Sequence, residues 1–292
     1  MDKNRLALGT VQFGMPYGVA NQAGQVRLDE AAAILERAWS VGIDTIDTAI
    51  AYGESEQRLG EIGVRQWRII SKLPPALPEA CENVAAWVQE AVLGSLERLR
   101  IPRLYGLLLH RSQQLLSPQG DALYRALIML KNQGLVEKIG VSIYEPSELD
   151  ALWPHFKLDL VQAPFNVFDR RLASSGWLTK LYEAGVEIHT RSVFLQGLLL
   201  MPATGRPAAF NRWQQLWGQW DYWLAHYELT PLQTSLNSAM SRPEIDRIIV
   251  GVDTLKQLEE IISACEMAAI EAPVEIASED LDLIDTRRWN LK

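Results

Sequence analysis

Asp47, Tyr52, Lys72 and His110 are the residues of this 292-residue chain whose types and placement could do chemistry. Each stands at or just beyond the end of an expected β-strand. Asp47 and Tyr52 lie in GIDTIDTAIAYGESEQRLG (Gly42 to Gly60), Lys72 closes WRIISK (Trp67 to Lys72), and His110 closes LYGLLLH (Leu104 to His110). Strands buried on both faces carry Val, Ile and Leu. A titratable last residue therefore reads as part of a site, above all in a β/α repeat. A phenol titrates near ~10, and an adjacent ammonium, Lys72, is expected to lower that value by charge attraction. Asp47 would hold the ammonium and keep it charged. His110 would hydrogen-bond a substrate oxygen and orient it. This is acid–base machinery for a carbonyl, and the hydride it lacks must come from a nicotinamide. Taken singly, each residue has a plainer reading: a structural ion pair for Asp47 and Lys72, packing for Tyr52, a core imidazole for His110. Four together at adjacent strand ends favour a site.

The elements that must position them follow from periodicity. Apolar runs predict eight strands: Leu6 to Phe13, Thr45 to Asp47, Arg68 to Lys72, Leu104 to His110, Lys138 to Ser142, Leu160 to Ala163, Glu187 to Arg191 and Arg247 to Val250. Amphipathic patterns predict helices between them, over Leu28 to Val41, Ser55 to Ile62, Glu82 to Leu99, Asp121 to Gln133, from Ser147, Leu178 to Ala184, and Leu255 to Ala268. Gly42 and Gly134 follow two of these patterns as stop signals, and Pro102 breaks after a third. Such alternation implies parallel strands with helices outside. Eight steps suit a closed (β/α)8 TIM barrel, read as one domain over 1–292. A doubly wound sheet is the alternative, but no GxGxxG follows the first strand. The rhythm breaks once, between Leu198 and Ser241.

Composition narrows the function class. A net charge of −8 argues against a generic nucleic-acid binder. No apolar stretch approaches the roughly 20 residues that span a bilayer, and MDKNRLALGT lacks the apolar core of a secretory signal. Cys81 and Cys265 have no CxxC spacing, so a reduced, cytoplasmic setting with inert thiols is expected. The four histidines show no metal-ligand spacing.

GIDTIDTAIAYGESEQRLG, IISK and LLLH resemble the matching segments of the aldo-keto reductases, from LGTVQFG (Leu8 to Gly14) to VGVDTLKQLEE (Val250 to Glu260). The resemblance implies a (β/α)8 barrel that reduces carbonyls with NADPH. It also implies an Asp-Tyr-Lys-His tetrad at Asp47, Tyr52, Lys72 and His110, with the tyrosine as proton donor. A cofactor would lie extended across the barrel mouth. GVSIYEP is similar to the family segment whose serine meets the nicotinamide amide, here Ser142; Ile143 replaces the asparagine beside it. Gln162 in LVQAPFN matches a second amide contact, and Asn166 the asparagine after it. HTRSVFLQGLL is similar to the segment that stacks on nicotinamide and wraps the pyrophosphate. Arg191 stands there in place of an aromatic stacker, and a guanidinium plane can both stack and attract phosphate. Ser192, Gln196 and Gly197 fit pyrophosphate contacts, Gly197 because no Cβ blocks approach.

In VGVDTLKQLEEII, which the family uses to grip the adenosine phosphate, Gly251, Asp253, Thr254 and Gln257 are the candidate contacts. Thr254 reads as a helix N-cap. Asp253 stands where NADPH users place a basic or hydroxyl residue, so NADH is the alternative cofactor, with Lys256 a partial compensation. Arg242 is a further candidate phosphate partner. Trp213, Trp217, Trp220 and Trp223 share one helical face. They either pack that helix on the barrel or line a pocket for a sugar or aromatic ring. The substrate is a small or sugar-like carbonyl by family analogy, and nothing in the sequence sets an oligomeric state. Two other functions compete: a Schiff-base lyase through Lys72, and a non-catalytic cofactor-sensing subunit.

Overall fold

The computed structural model describes residues 3–74, 83–265 and 271–289. Eight parallel strands close into one barrel in sequence order. They are β1 (Leu6–Gly9), β2 (Thr45–Asp47), β3 (Arg68–Leu73), β4 (Leu104–Leu109), β5 (Val136–Ser142), β6 (Leu160–Pro164), β7 (Glu187–Arg191) and β8 (Arg247–Gly251). Between β1 and β4 run a single turn α1 (Val11–Gly14), then α2 (Leu28–Ser40), α3 (Ser55–Ile62) and α4 (Val84–Leu99). Next come α5 (Gly120–Asn132), α6 (Ser147–Leu152), α7 (Arg171–Ser174) and α8 (Trp177–Glu183). The stretch from β7 onward carries α9 (Gln214–His226), α10 (Pro231–Met240), α11 (Leu255–Ala264) and α12 (Leu281–Ile284). The expected (β/α)8 architecture is the observed one.

The longer helices α2, α4, α5 and α11 bury the apolar stripes their sequences predict. In α2, Ala31, Ile34, Leu35 and Ala38 face the barrel while Asp29 and Glu30 complement the N-terminal dipole. The first strand is shorter than expected. After Gly9 the chain turns through α1, and Val26 N–H donates to the Gln12 carbonyl at 2.9 Å. The apolar run LALGTVQF therefore divides between a strand and a packed turn, which periodicity over so short a run does not separate. The expected ends of the helices at Glu82 and at Ala268, and Cys81, lie outside the described residues. Cys265 is buried.

The barrel interior is layered. Ile70, Leu108 and Leu160 form an apolar plug, with Tyr105 packed against it. Toward the strand N-termini lies a polar knot. Glu187 accepts from Tyr105 Oη at 2.7 Å and from Lys138 Nζ, and His189 Nε2 lies 2.6 Å from its Oε1. Toward the strand C-termini lie Asp47, Lys72, Ser142 and Gln162, all buried. The plug separates the two polar sets, and in this fold the chemistry belongs to the set at the strand C-termini.

Burial alone would raise the Glu187 pKa, but hydrogen bonds from His189, Lys138 and Tyr105 outweigh it and hold the carboxyl well below its ordinary range. A depressed folded-state value contributes stability above the unfolded value of about 4.3, lost as pH falls below it. Glu187→Gln is therefore expected to cost about 1–3 kcal/mol near neutrality. The gap from wild type should shrink as urea midpoints are measured at successively lower pH. A gap that stays constant down to acid would assign the loss to packing instead.

Candidate functional site at the barrel mouth

Asp47 ends β2 and pairs in register with Gly9 and Ile70. Lys72 lies in β3 opposite Leu108. Parallel strands at this spacing bring the two side chains together above the plug. Lys72 Nζ donates to Asp47 Oδ1 at 2.6 Å and to the Thr48 carbonyl at 2.9 Å. Asp47 Oδ2 accepts from Gln162 Nε2 at 2.7 Å, and Ser142 Oγ lies 3.4 Å from Gln162 Oε1. Gln162, expected as an amide contact for the nicotinamide, thus also braces the buried ion pair, and it lines the cavity above it.

Tyr52 is carried by a loop that several contacts fix. Its N–H donates to the Ala49 carbonyl and its carbonyl accepts from Ser55 N–H, each at 3.0 Å. Ser55 Oγ ties α3 to the Thr10 carbonyl at 2.9 Å. The opposing wall is Gly14, where a Cβ would fall 1.7 Å from the Tyr52 carbonyl oxygen. Gly14→Ala is accordingly expected to push the Tyr52 loop outward, costing about 1–3 kcal/mol. Turnover on any substrate should fall more than cofactor affinity does. A variant with wild-type melting temperature and turnover would remove Gly14 from this role. One further buried carboxylate holds the neighbouring elements: Glu56 of α3 accepts from Ser71 of β3 and Ser95 of α4, both at 2.6 Å, and from Arg98 at 2.7 Å. Sequence reasoning passed over Glu56, because only the fold shows that its helix face meets three polar partners.

The four candidate residues converge. Lys72 Nζ stands 5.1 Å from the centroid of the Tyr52 ring, and the His110 ring meets Tyr52 edge-on at 5.8 Å. His110 sits just after β4 rather than in it, and its buried Nδ1 has no partner among the described residues. Burial, then the positive charges of Lys72 and Arg191, lower the His110 pKa to about 4, so the imidazole is neutral at physiological pH. Tyr52 departs from expectation. Burial first, and the Asp47 carboxylate second, raise its pKa, while Arg191 rather than Lys72 provides the opposing pull. The net shift is upward rather than the expected lowering, because the phenolate would be desolvated and the Asp47 carboxylate beside Lys72 offsets the ammonium's pull. Burial likewise lowers Lys72 below its ordinary value against the pull of Asp47.

These residues line a cavity of about 850 Å³. Ser142, Arg191, Ser192, Gln196, Gly197, Gly251, Asp253 and Gln257 line it too. Thr254 stands back from it, its Oγ accepting the Gln257 N–H at 3.2 Å as the N-cap of α11. Asn166 is also set back: its Oδ1 accepts from Phe168 and Asp169 N–H and its Nδ2 supports the Ser192 carbonyl. Arg242 pairs with Glu271 at 2.8 Å away from the cavity. Of the tryptophan stripe, Trp217, Trp220 and Trp223 are buried against Phe168, Leu195, Leu198 and Ile276 and none lines the cavity. Trp213 falls in a 3-10 turn before α9, with its Nε1 on Asp280 at 2.9 Å. Packing is what the stripe does.

The fold adds residues that no motif marked. Tyr144 is held between two guanidinium groups, Arg191 at 4.2 Å and Arg287 at 3.6 Å from its ring. Arg191 also donates to the Ile143 carbonyl at 2.9 Å, which fixes its plane at the end of β7. Arg287 comes from the far C-terminal segment, where it chelates Asp285. Gln12 lines the cavity beside Gly251, and its buried Oε1 has no partner among the described residues. Two unpartnered polar atoms, Gln12 Oε1 and His110 Nδ1, and a cavity of this volume fit a polar ligand. Among the described residues there is no cluster of His, Cys, Asp and Glu suited to a metal ion, and no helix is long and apolar enough to cross a membrane.

A family model described as the aldo/keto reductase family matches residues 5–275. A D-threo-aldose 1-dehydrogenase from a Pseudomonas species is 25% identical, over 94% of each chain. A structure from Pseudomonas aeruginosa, provisionally identified as an aldo-keto reductase, is 25% identical with a TM-score of 0.65, covering 89% of this chain and 88% of its own. A holo-form aldo-keto reductase from Bacillus halodurans superposes with a TM-score of 0.75 at 19% identity, over 98% of this chain and 95% of its own. That last likeness is one of fold.

Proposed function

The chain belongs to the aldo/keto reductase family, and from that premise we propose that it interconverts an aldehyde or ketone and the corresponding alcohol, with Tyr52 moving the proton. Its coarse function is oxidoreduction at a carbonyl carbon. The observation that carries the finer reading is the convergence of Asp47, Tyr52, Lys72 and His110 in one cavity, with Tyr52 against His110 and above Lys72. A reduced nicotinamide bound in the cavity would supply the hydride. Ser142 would hold its amide and Arg191 its ring. Ser192, Gln196 and Gly197 would face the pyrophosphate, and Gly251, Asp253 and Gln257 the adenosine. Gln162, which lines the cavity as well, would hold the amide while its Nε2 donates to Asp47. Thr254 supports this end indirectly by capping α11.

The chain's own groups do the rest. His110, neutral, presents an imidazole to the substrate oxygen and orients it. The Tyr52 hydroxyl, protonated across the neutral range, donates to that oxygen as negative charge builds on it. Lys72 stabilises that charge from below the phenol, and Asp47 keeps Lys72 in place. A small neutral carbonyl compound suits the mouth, and the aldose relative makes sugars the first class to try. NADPH is what family resemblance implies, although the charge at the far end of the cavity argues the other way.

The test is a panel of aldoses, simple aldehydes and their alcohols, with nicotinamide absorbance as the signal and cofactor deuterated at C4. Deuterium should appear on the former carbonyl carbon. Turnover without such transfer, or none on any member while dinucleotide binds, would refute the reading; the latter would favour a cofactor-sensing subunit. A Schiff base on Lys72 is disfavoured by its two short hydrogen bonds to Asp47 and Thr48. Borohydride should trap no substrate there.

A further inference from the structure

We infer that the far end of the cavity is built for a dinucleotide with a free adenosine ribose, so that the chain takes NADH in preference to NADPH. This rests on the proposed nicotinamide-dependent function. The cavity is electrically lopsided. Its cationic lining residues are Lys72, Arg191 and Arg287. Lys72 is paired with Asp47 beneath Tyr52, and both arginines stack on Tyr144. All three serve the reacting end. The acidic lining residues outside the Asp47 pair are Asp253 and Glu260, and both belong to the β8–α11 end.

Among the described residues, no cation of the cavity lining offsets them. Lys256 is on α11 but points to solvent, with 86% of its side chain exposed and Glu260 Oε1 at 3.8 Å. Arg242 is engaged with Glu271 elsewhere. Asp253 is held in place: Asn21 Nδ2 donates to its Oδ1 at 2.9 Å, and its own N–H donates to Gln257 Oε1 at 2.6 Å. A fixed carboxylate of this kind accepts from a ribose hydroxyl and repels a phosphate placed on the same oxygen.

A second observation points the same way. Gln12 is nine-tenths buried at this end, beside Gly251, and presents an oxygen with no partner among the described residues. Its room is set by Gly251, where a Cβ would come within 2.5 Å of the Gln12 amide. Asp253, although its Oδ1 already accepts from Asn21, and Gln12 thus place acceptor oxygens at this end. Ribose hydroxyls and an adenine amino group are donors; a 2′-phosphate, carrying about −1.5 to −2 charge, offers acceptors to acceptors.

Titration of the whole protein with NADH and with NADPH, read by tryptophan fluorescence, tests this without any substrate. NADH should bind at least about tenfold more tightly. Competition with ADP-ribose and its 2′-phosphorylated form should show the same order, which locates the preference at the adenosine end. Asp253→Asn should narrow the gap, and Asp253→Asn with Glu260→Gln should narrow it further, with NADPH affinity rising. Raised salt should also narrow it, since a repulsion is being screened. NADPH binding as tightly as NADH in the wild type, or a gap untouched by both variants, would overturn the inference while leaving the proposed reaction standing. Failure of both dinucleotides to bind would overturn both.

Discussion

Replacing Tyr52 with phenylalanine is expected to lower turnover by on the order of 10²–10⁴-fold, with dinucleotide affinity unchanged. The substitution removes one hydroxyl and leaves the ring that meets His110 and Lys72. It should therefore spare the stacking and the fold, and circular dichroism should not change. The direction of the Tyr52 shift makes a further expectation. Burial and the Asp47 charge hold the phenol above its ordinary pKa, so it is protonated wherever the protein is native near neutrality. That state is the right one for carbonyl reduction, because the alkoxide left on the substrate is a stronger base than phenolate. Alcohol oxidation needs the phenolate instead, and is expected to accelerate as pH rises while reduction stays flat. Initial rates in both directions across the alkaline range would show it. Turnover surviving in Tyr52→Phe would end the assignment of the proton to this residue.

Lys72→Met is the second large effect, and here stability and activity must be separated. The Lys72 side chain is 1% exposed and its partner Asp47 6%. Removing the ammonium leaves a buried carboxylate facing only Gln162 Nε2, and breaking a buried pair costs about 3–5 kcal/mol. Lys72→Met combined with Asp47→Asn removes both charges and is expected to recover most of that loss. Activity should not recover with it, since the positive charge beneath the phenol is still missing. Urea unfolding and turnover measured on the wild type and both variants make the comparison. If the double variant regained turnover along with stability, the pair would be only a strut. The same result would follow from the plainer reading of the two residues as a structural ion pair.

Much of this was legible in the sequence for a physical reason. A buried strand has little tolerance for charge, so Asp47, Lys72 and His110 at strand ends stood out against Ile69, Ile70, Leu107 and Leu108. Helix boundaries came from local terms, such as the cap at Thr254 and the stop at Gly42, and these survive folding unchanged. Thr254 shows where locality ends. The hydroxyl was visible as a cap, yet only the fold shows that capping turns it away from the cavity. The tryptophan stripe was visible as one face, but which surface would cover it depended on Leu195, Leu198, Leu199 and the C-terminal segment, which pack there.

By itself, then, the sequence determined the eight-fold alternation and the polar residues that close its strands, because periodicity and the cost of burying charge act over a few residues at a time. Closure of the barrel decided the rest. It set Arg287 on Tyr144, 143 positions away in the chain (287 − 144), braced Asp47 with Gln162, and placed Asp253 and Gln12 at one end of the same cavity. It also reversed the expected direction at Tyr52, because a pKa answers to all the charge and solvent around a group. Those surroundings exist only once distant segments have met.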